Sequence, residues 1–387
     1  MDFLDGINAG SRKYQYKKYK GRHILRKLTA LISIILISIL LTACGKELTR
    51  FNSTVIAKRE ITDMIGRKVT IPSDVKKVYA TSAVGTIFVY SIDPSKLIGQ
   101  AGMSAKDSKY VLEQYRNLPV LGGMNGAENN NAVREKVVKA APDIILSTTM
   151  EASDDVAAAS NADILQEQLG IPVIVFTSNL SQLDKTYEFM GELLGDKERA
   201  KVLANYCRNT ISEIKLSVAK IPEEKRLRVY YAEGETGLNT IADGSRHNEV
   251  LDFVQGINVA KVPMDVGQAA VSLEKVMFWN PDVILVGKMK GEEGNLPEFI
   301  KDNSSWKNIK AVKEHQVYKI PNQPFSWLDR PPSINRIIGI KWLANLLYAD
   351  YVKIDIKAET KNFYRIFYHY ELTEQEVEDL LKYSTPK

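Results

Sequence analysis

Two twelve-residue stretches share one grammar, and that repetition constrains the fold more than any other feature of the chain. Glu135–Leu146 reads EKVVKAAPDIIL and Glu274–Leu285 reads EKVMFWNPDVIL, with seven of twelve positions identical. In each, a short helix runs into Pro-Asp and then into an apolar run. A proline just past a helix ends it, because the ring removes an N–H and restricts the residue before it. The β-branched run that follows reads as a buried strand of a parallel sheet. A helix–strand unit recurring at a wide interval implies two related lobes. A chance match with the same grammar is the competing explanation.

The surrounding pattern extends this. A small hairpin over Ile61–Ile71 turns at Gly66-Arg67. Short strands are expected at Lys77–Ala80, Leu97–Ala101, Asp143–Ser147 and Pro172–Phe176, separated by helices. Such alternation points to an α/β fold of two lobes, each a mainly parallel sheet flanked by helices, with a ligand cleft between them. The rhythm breaks at Asp196–Lys220, where Leu203, Tyr206, Cys207, Thr210, Ile211, Ile214 and Val218 fall at helical spacing. Gly195 closes the preceding helix, Asp196 caps the new one and Pro222 ends it. Twenty-five helical residues would span about 37 Å, too long for a crossover within one lobe and suited to a bridge between two. The expected domains are therefore a first lobe over 61–195, the joining helix over 196–220, and a second lobe over 221–387. The second lobe carries a helix Ile334–Tyr348 capped by Ser333. C-terminal helices Asp355–Tyr370 and Thr373–Lys382 follow, the latter opening with a Thr373…Glu376 capping box.

Charge says what precedes these lobes. The net charge is +5, but residues 1–43 hold eight Lys/Arg and two Asp/Glu, leaving 44 basic and 45 acidic residues beyond them. That balance gives no electrostatic case for nucleic acid. The basic residues precede a fourteen-residue apolar run, Leu28–Leu41. It is short for a membrane span, which needs about 20 residues, and suits a signal peptide. The run ends in Leu41-Thr42-Ala43-Cys44, which resembles a bacterial lipobox. Residues 1–43 are thus expected to be a lipoprotein signal peptide, Cys44 the lipidated residue and 44–60 a flexible tether. A signal anchor with an incidental cysteine is the alternative. Cys207 is the other cysteine, so a lipidated Cys44 leaves no intrachain disulfide. The mature chain is expected to be monomeric, soluble and lipid-anchored on the extracytoplasmic face of the cell membrane.

Enzyme signatures are absent: there is no G-x-S-x-G, no P-loop, no G-x-G-x-x-G, no H-E-x-x-H and no C-x-x-C. His247, His315 and His369 have no metal-ligand spacing, so no metal site is assigned. A lipid-anchored α/β enzyme with an unrecognised site is the remote alternative. What remains is a binding inventory at the carboxyl ends of strands, where open α/β sheets take ligands. Ser82 and Gly85 open a helix whose free N–H groups suit an anion, or else form a plain cap. Thr149 ends one strand and Tyr231 another. Trp327 and Arg330 lie in a loop bracketed by Pro324, Pro331 and Pro332, and offer a stacking face and a planar fork of donors. Equally, Arg330 pairs with Asp329 and Trp327 is buried. Arg246 is a further candidate. Glu135 and Glu274 each fall in the first turn of a helix. There they either complement the helix dipole or form a pair of surface carboxylates, one per lobe.

The chain resembles the substrate-binding lipoproteins of ABC importers, in the group with one rigid helix between lobes. These serve ferric siderophores, haem, cobalamin and related metal compounds. The resemblance rests on Leu41–Cys44, the Ile61–Thr70 opening, Lys77–Ser82, both Glu…Pro-Asp units, Gly256–Ala260, and Trp327-Leu-Asp-Arg-Pro-Pro-Ser-Ile-Asn-Arg with Gly339 and Trp342 beyond. It implies that Glu135 and Glu274 dock into arginine pockets of an ABC permease dimer, and that lobe closure is limited. It implies a ferric-siderophore-type Fe(III) chelate as cargo, with molybdate or tungstate, haem or cobalamin as alternatives, and no intrinsic cofactor.

Overall fold

A computed structural model of the chain describes residues 57–386 apart from 102–108, 125–130, 151–154, 264–267, 288–294 and 330. The expected signal peptide, Cys44 and Arg330 lie outside the described residues.

The chain enters through an antiparallel hairpin, β1 (Lys58–Thr62) and β2 (Lys68–Pro72), with Ile61 opposite Val69. Gly66 takes the left-handed conformation the turn needs, at φ 87°. The hairpin starts earlier than expected, so residues 58–60 are not tether. Arg59 explains this: its guanidinium donates to the carbonyls of Glu192 and Leu193, the open end of a later helix.

The first sheet holds β3 (Val78–Ala80), then helix α1 (Ala83–Ile92), α2 (Asn131–Ala140), β4 (Ile144–Thr149), α3 (Asp155–Leu169) and β5 (Val173–Thr177). Its strands run parallel in the order β3-β4-β5. The expected strand at Leu97–Ala101 is reduced to single bridges, Val78 to Leu97 and Gln100 to Val120. Helices α4 (Leu183–Leu194) and α5 (Lys197–Val218) follow, joined at Gly195 with φ 82° and with Asp196 accepting from the Arg199 N–H. At 22 residues α5 is about 33 Å long. It buries Leu203, Cys207, Thr210, Ile214 and Val218 against α4 and a later helix.

The second sheet holds β6 (Arg228–Ala232), α6 (Glu249–Phe253), β7 (Ile257–Asn258), α7 (Leu273–Trp279), β8 (Val283–Val286), α8 (Leu296–Asp302) and β9 (Val317–Lys319). The strands are again parallel, in the order β9-β8-β6-β7. Helices α9 (Arg336–Leu347), α10 (Ile356–Tyr368) and α11 (Glu374–Leu381) complete the chain. The capping box at Thr373 is formed, but α9 starts two residues later than expected, behind Asn335, with Ser333 fully buried.

The repeated stretches perform the same local task. Asp143 Oδ2 accepts from the Lys77 N–H at 2.8 Å while its own N–H donates to Lys77 O at 2.8 Å. Asp282 does the same to Arg228, at 2.8 Å in both directions. Each Pro-Asp thus staples the central strand of its sheet, β4 or β8, to the start of its neighbour. The residues before the prolines, Ala141 and Asn280, both take positive φ, at 48° and 43°, which turns the chain out of its helix.

Two apolar clusters are confined to one sheet each, and a third runs through α1, α4, α5, α9 and α10. The expected boundary at residue 221 separates the sheets but not the helices. Helix α10 packs back on the first lobe, with Tyr90 donating to Tyr368 O at 2.8 Å and Tyr187 meeting Phe367 at 5.8 Å between ring centres.

Candidate ligand-binding site

A cavity of about 780 Å³ opens at the carboxyl ends of β3 and β4. Parallel strands place this end outside the sheet, where the chain turns into helices and leaves N–H groups and short polar side chains facing out. Thr81 and Ser82 reach it from β3, Ser147, Thr148 and Thr149 from β4, and Ser178 from the turn after β5. Helix α2 adds Arg134 and α3 adds Asn161 and Gln168. The second lobe contributes Arg246, Pro331 and Pro332.

Ser82 is the N-cap of α1. Its Oγ accepts from the Gly85 N–H at 3.2 Å and sits 3.2 Å from Thr148 Oγ1. No acidic residue occupies the first turn of α1, so the positive end of that helix is left for the cavity. Thr81 Oγ1 is buried with no hydrogen-bond partner among the described residues. Two arginines and no Asp, Glu, His, Tyr, Phe or Trp appear among the described lining residues. Apolar walls come from Val84, Met124, Ile164, Leu165 and the two prolines.

Ser82, Thr149 and Arg246 are therefore brought together across one cavity. Gly85 is not part of it. Its N–H is taken by Ser82, and a Cβ there would come within 2.7 Å of Ala80 Cβ, so this glycine lets α1 pack on β3. Tyr231 is buried within the second sheet, its hydroxyl against Gly287, where a Cβ would lie 2.6 Å away. Trp327 is 0% exposed and packs edge-on to Trp342 at 6.4 Å. Its loop folds inward rather than presenting a stacking face. Asp329 is buried too, its carboxylate 2.7 Å from His247 Nδ1, which sets this loop beside the turn that carries Arg246.

Arg134 and Ser178 were not anticipated. Arg134 had a signal: it lies one step from buried Val133 and three before buried Val137, which aims it along the edge of the packed face.

Glu135 and Glu274 are both exposed. Glu274 is in the first turn of α7, where its own N–H and Ser272 hold its carboxyl below the usual range. Glu135 is not in a first turn, because α2 begins at Asn131. The two are equivalent when counted back from the helix ends, Ala140 and Trp279. Three and four residues after Glu274 stand exposed Met277 and Phe278, the latter 85% exposed. Val138 and Lys139 hold the matching positions in α2.

Comparison with known proteins gives a consistent set of relatives. A family described as "Periplasmic binding protein" matches residues 91–324. An ABC transporter solute binding protein from Sulfurospirillum deleyianum superposes with a TM-score of 0.74 at 30% identity, covering 84% of this chain and 99% of its own. The molybdate-binding protein MolA of Haemophilus influenzae is 26% identical, over 85% of this chain and 95% of that protein. The iron(3+)-hydroxamate-binding protein FhuD of Bacillus subtilis is 25% identical, over 79% and 94%.

Proposed function

Since the chain belongs to the periplasmic binding protein family, as a substrate-binding component of an ABC transporter, we propose that its cargo is an anionic iron(III) chelate of the siderophore type. The observation that carries this is the combination of size and lining. Ligand sites for organic molecules run to roughly 300–1,000 Å³, and this cavity has about 780 Å³. A tetrahedral oxyanion needs on the order of 100 Å³, a few water volumes. The lining argues for negative charge, with Arg134, Arg246, hydroxyls and the α1 N-terminus and no Asp or Glu among its described residues. Arginine forks suit carboxylate or catecholate oxygens. The described lining offers no imidazole, phenol, thiolate or carboxylate to complete a metal's coordination, which fits an ion that arrives already chelated.

The second reading is molybdate or tungstate. It is favoured by the buried, unpartnered Thr81 hydroxyl beside the Ser82 cap and by the relative named for molybdate. Haem and cobalamin fit less well, since no described lining residue supplies an aromatic plane.

In this reading the cargo is carried to a permease dimer that holds Glu135 and Glu274, and lipid on Cys44 tethers the chain at the extracytoplasmic face. Calorimetric titration with a ferric catecholate, a ferric tris-hydroxamate, molybdate, haemin and cyanocobalamin tests the cargo. The ferric catecholate should bind, and Arg134→Ala or Arg246→Ala should weaken it about tenfold or more, the worth of a charge-assisted hydrogen bond. Tighter binding of molybdate, or indifference of both arginine variants, would sink the chelate reading. All four tryptophans are buried and none lines the cavity, so tryptophan fluorescence is a poor reporter here.

A further inference from the structure

Beside the cavity the two lobes are bridged by an ion pair whose arginine is buried and whose glutamate is partly exposed. Arg336, at the start of α9, is 1% exposed. Its Nε donates to Ser333 O at 3.2 Å, within the second lobe. Its Nη1 donates to Glu249 Oε2, and its Nη2 crosses to the first lobe and donates to Ser178 O. Glu249 makes the return contact: its Oε1 accepts from the Leu180 N–H at 2.9 Å. Two charged side chains of one lobe thus grip two residues of the other, Ser178 by its carbonyl and Leu180 by its amide.

Both ends of this grip lead into the cavity. On the first-lobe side, the Ser178 N–H and Oγ both donate to Thr149 O, at 2.8 and 3.4 Å, so Ser178 and Thr149 move together. On the second-lobe side, Glu249 directly follows the short turn Arg246–Asn248, which carries the second lobe's cavity cation. His247 in that turn also meets Asp329 at 2.7 Å. Replacing a buried ion pair with apolar residues of similar volume is often neutral or stabilising. What the pair adds is direction. A planar guanidinium can satisfy a carboxylate and a carbonyl together in only one orientation.

We propose that Glu249 and Arg336 are positioning residues that set the register between the lobes, holding Arg246 at a fixed reach from the Ser82–Thr149 donors. This rests on the reading that the cavity takes the cargo. With the grip intact the cavity is preset before cargo arrives, so little ordering cost falls on binding. Without it the lobes remain joined through α5 and the shared core, but the arginine and the hydroxyls no longer face each other at one distance.

The test uses the full chain and two variants. Glu249→Leu with Arg336→Met removes both charges at similar volume, so the fold should be kept, with some loss of Tm because the buried Ser178 carbonyl and Leu180 amide lose their partners. Arg336→Lys keeps the charge but cannot reach Glu249 and Ser178 together. Hydrogen exchange at the Leu180 amide, small-angle scattering, and calorimetric affinity for the ferric catecholate are measured for each. Both variants should exchange Leu180 faster, show a larger radius of gyration, and bind the chelate about tenfold or more weakly, as if one charge-assisted contact were lost. A purely structural role would lower Tm and leave affinity and radius unchanged, and that result overturns the proposal. If the wild-type chain binds no ferric catecholate, the cargo reading fails on its own. Exchange and scattering then decide the positioning role, and wild-type values in the variants overturn it.

Discussion

Gly339 is where one added methyl group should do most damage. It lies in α9, and a Cβ there would meet the Trp327 carbonyl oxygen at 1.8 Å and its carbon at 2.8 Å. Two effects of Gly339→Ala compete. Removing a glycine from a helix interior gains roughly 1 kcal/mol of helix propensity. Against this stands an overlap with backbone, which no rotamer change relieves. Nor is the loop free to retreat: the Trp327 N–H donates to Pro321 O at 2.9 Å, and Asn335 Nδ2 donates to Phe325 O at 3.0 Å. The Trp327 ring is itself wedged against Trp342. Overpacking a well-packed interior costs about 1–3 kcal/mol and occasionally more, and a 1.8 Å contact belongs at the upper end. The net loss is about 2 kcal/mol, which at about 2–4 °C per kcal/mol lowers Tm by roughly 4–8 °C. The same loop brings Pro331 and Pro332 to the cavity, so chelate affinity should fall as well. Thermal unfolding by circular dichroism, with calorimetric titration alongside, measures both. A variant at or above the wild-type Tm with unchanged affinity would show that this contact does not fix the loop.

Three further outcomes follow from the geometry. Glu135→Ala with Glu274→Ala should abolish uptake in cells while chelate affinity stays at the wild-type value; normal uptake by the double variant refutes the docking role. Cys207 is fully buried and burial pushes its thiol well up, so a thiol reagent should label it only after denaturation; labelling of the native chain at neutral pH contradicts this. Asp252, although part of its surface reaches solvent, has a carboxyl pushed up to about 6 by burial, then by Asp243 and Glu249, against the Asn248 hydrogen bond. A raised carboxyl binds its proton more tightly in the folded state, so its stabilising effect is present at low pH and is lost as pH rises through about 6. Asp252→Asn should therefore raise Tm at pH 8 and change it little at pH 4, and an equal shift at both would refute the assignment.

What could be read from the chain was what has a local cause. The Pro-Asp units were legible because a proline ends a helix and the aspartate answers the N–H of the next strand over, a task repeated at Lys77 and Arg228. The long helix was legible because Gly195 and Asp196 are adjacent stop and start signals. What failed depended on partners far along the sequence. Trp327 looks like a presented ring until Gly339 and Trp342 are known to make room for it. Nothing local marks Arg336 as buried, and only Glu249 and Ser178 explain its place. Gly85 reads as an anion-binding turn, but the space it leaves is filled by Ala80.

The repeated unit joins the two halves of the function more closely than its sequence suggests. A helix leading into a parallel strand runs antiparallel to it, so the start of the helix lies at the carboxyl end of the strand. That is the end where the cavity opens. Arg134 and Glu135 are consecutive on α2, one lining the cavity and the other exposed. The second lobe repeats the arrangement with Glu274 in the first turn of α7 and β8 returning beside it. A permease that took hold of both carboxylates, as proposed above, would pull on α7 and on α2, there one residue from a cavity cation. The Glu249–Arg336 grip reaches the same cavity by another route, through Ser178 and the turn that carries Arg246. In the docking reading proposed above, a pull on the two carboxylates is opposed by that grip, which holds the spacing of the arginines and hydroxyls. On that reading cargo release requires no large hinge motion, only the loss of the spacing that the Glu249–Arg336 contacts maintain.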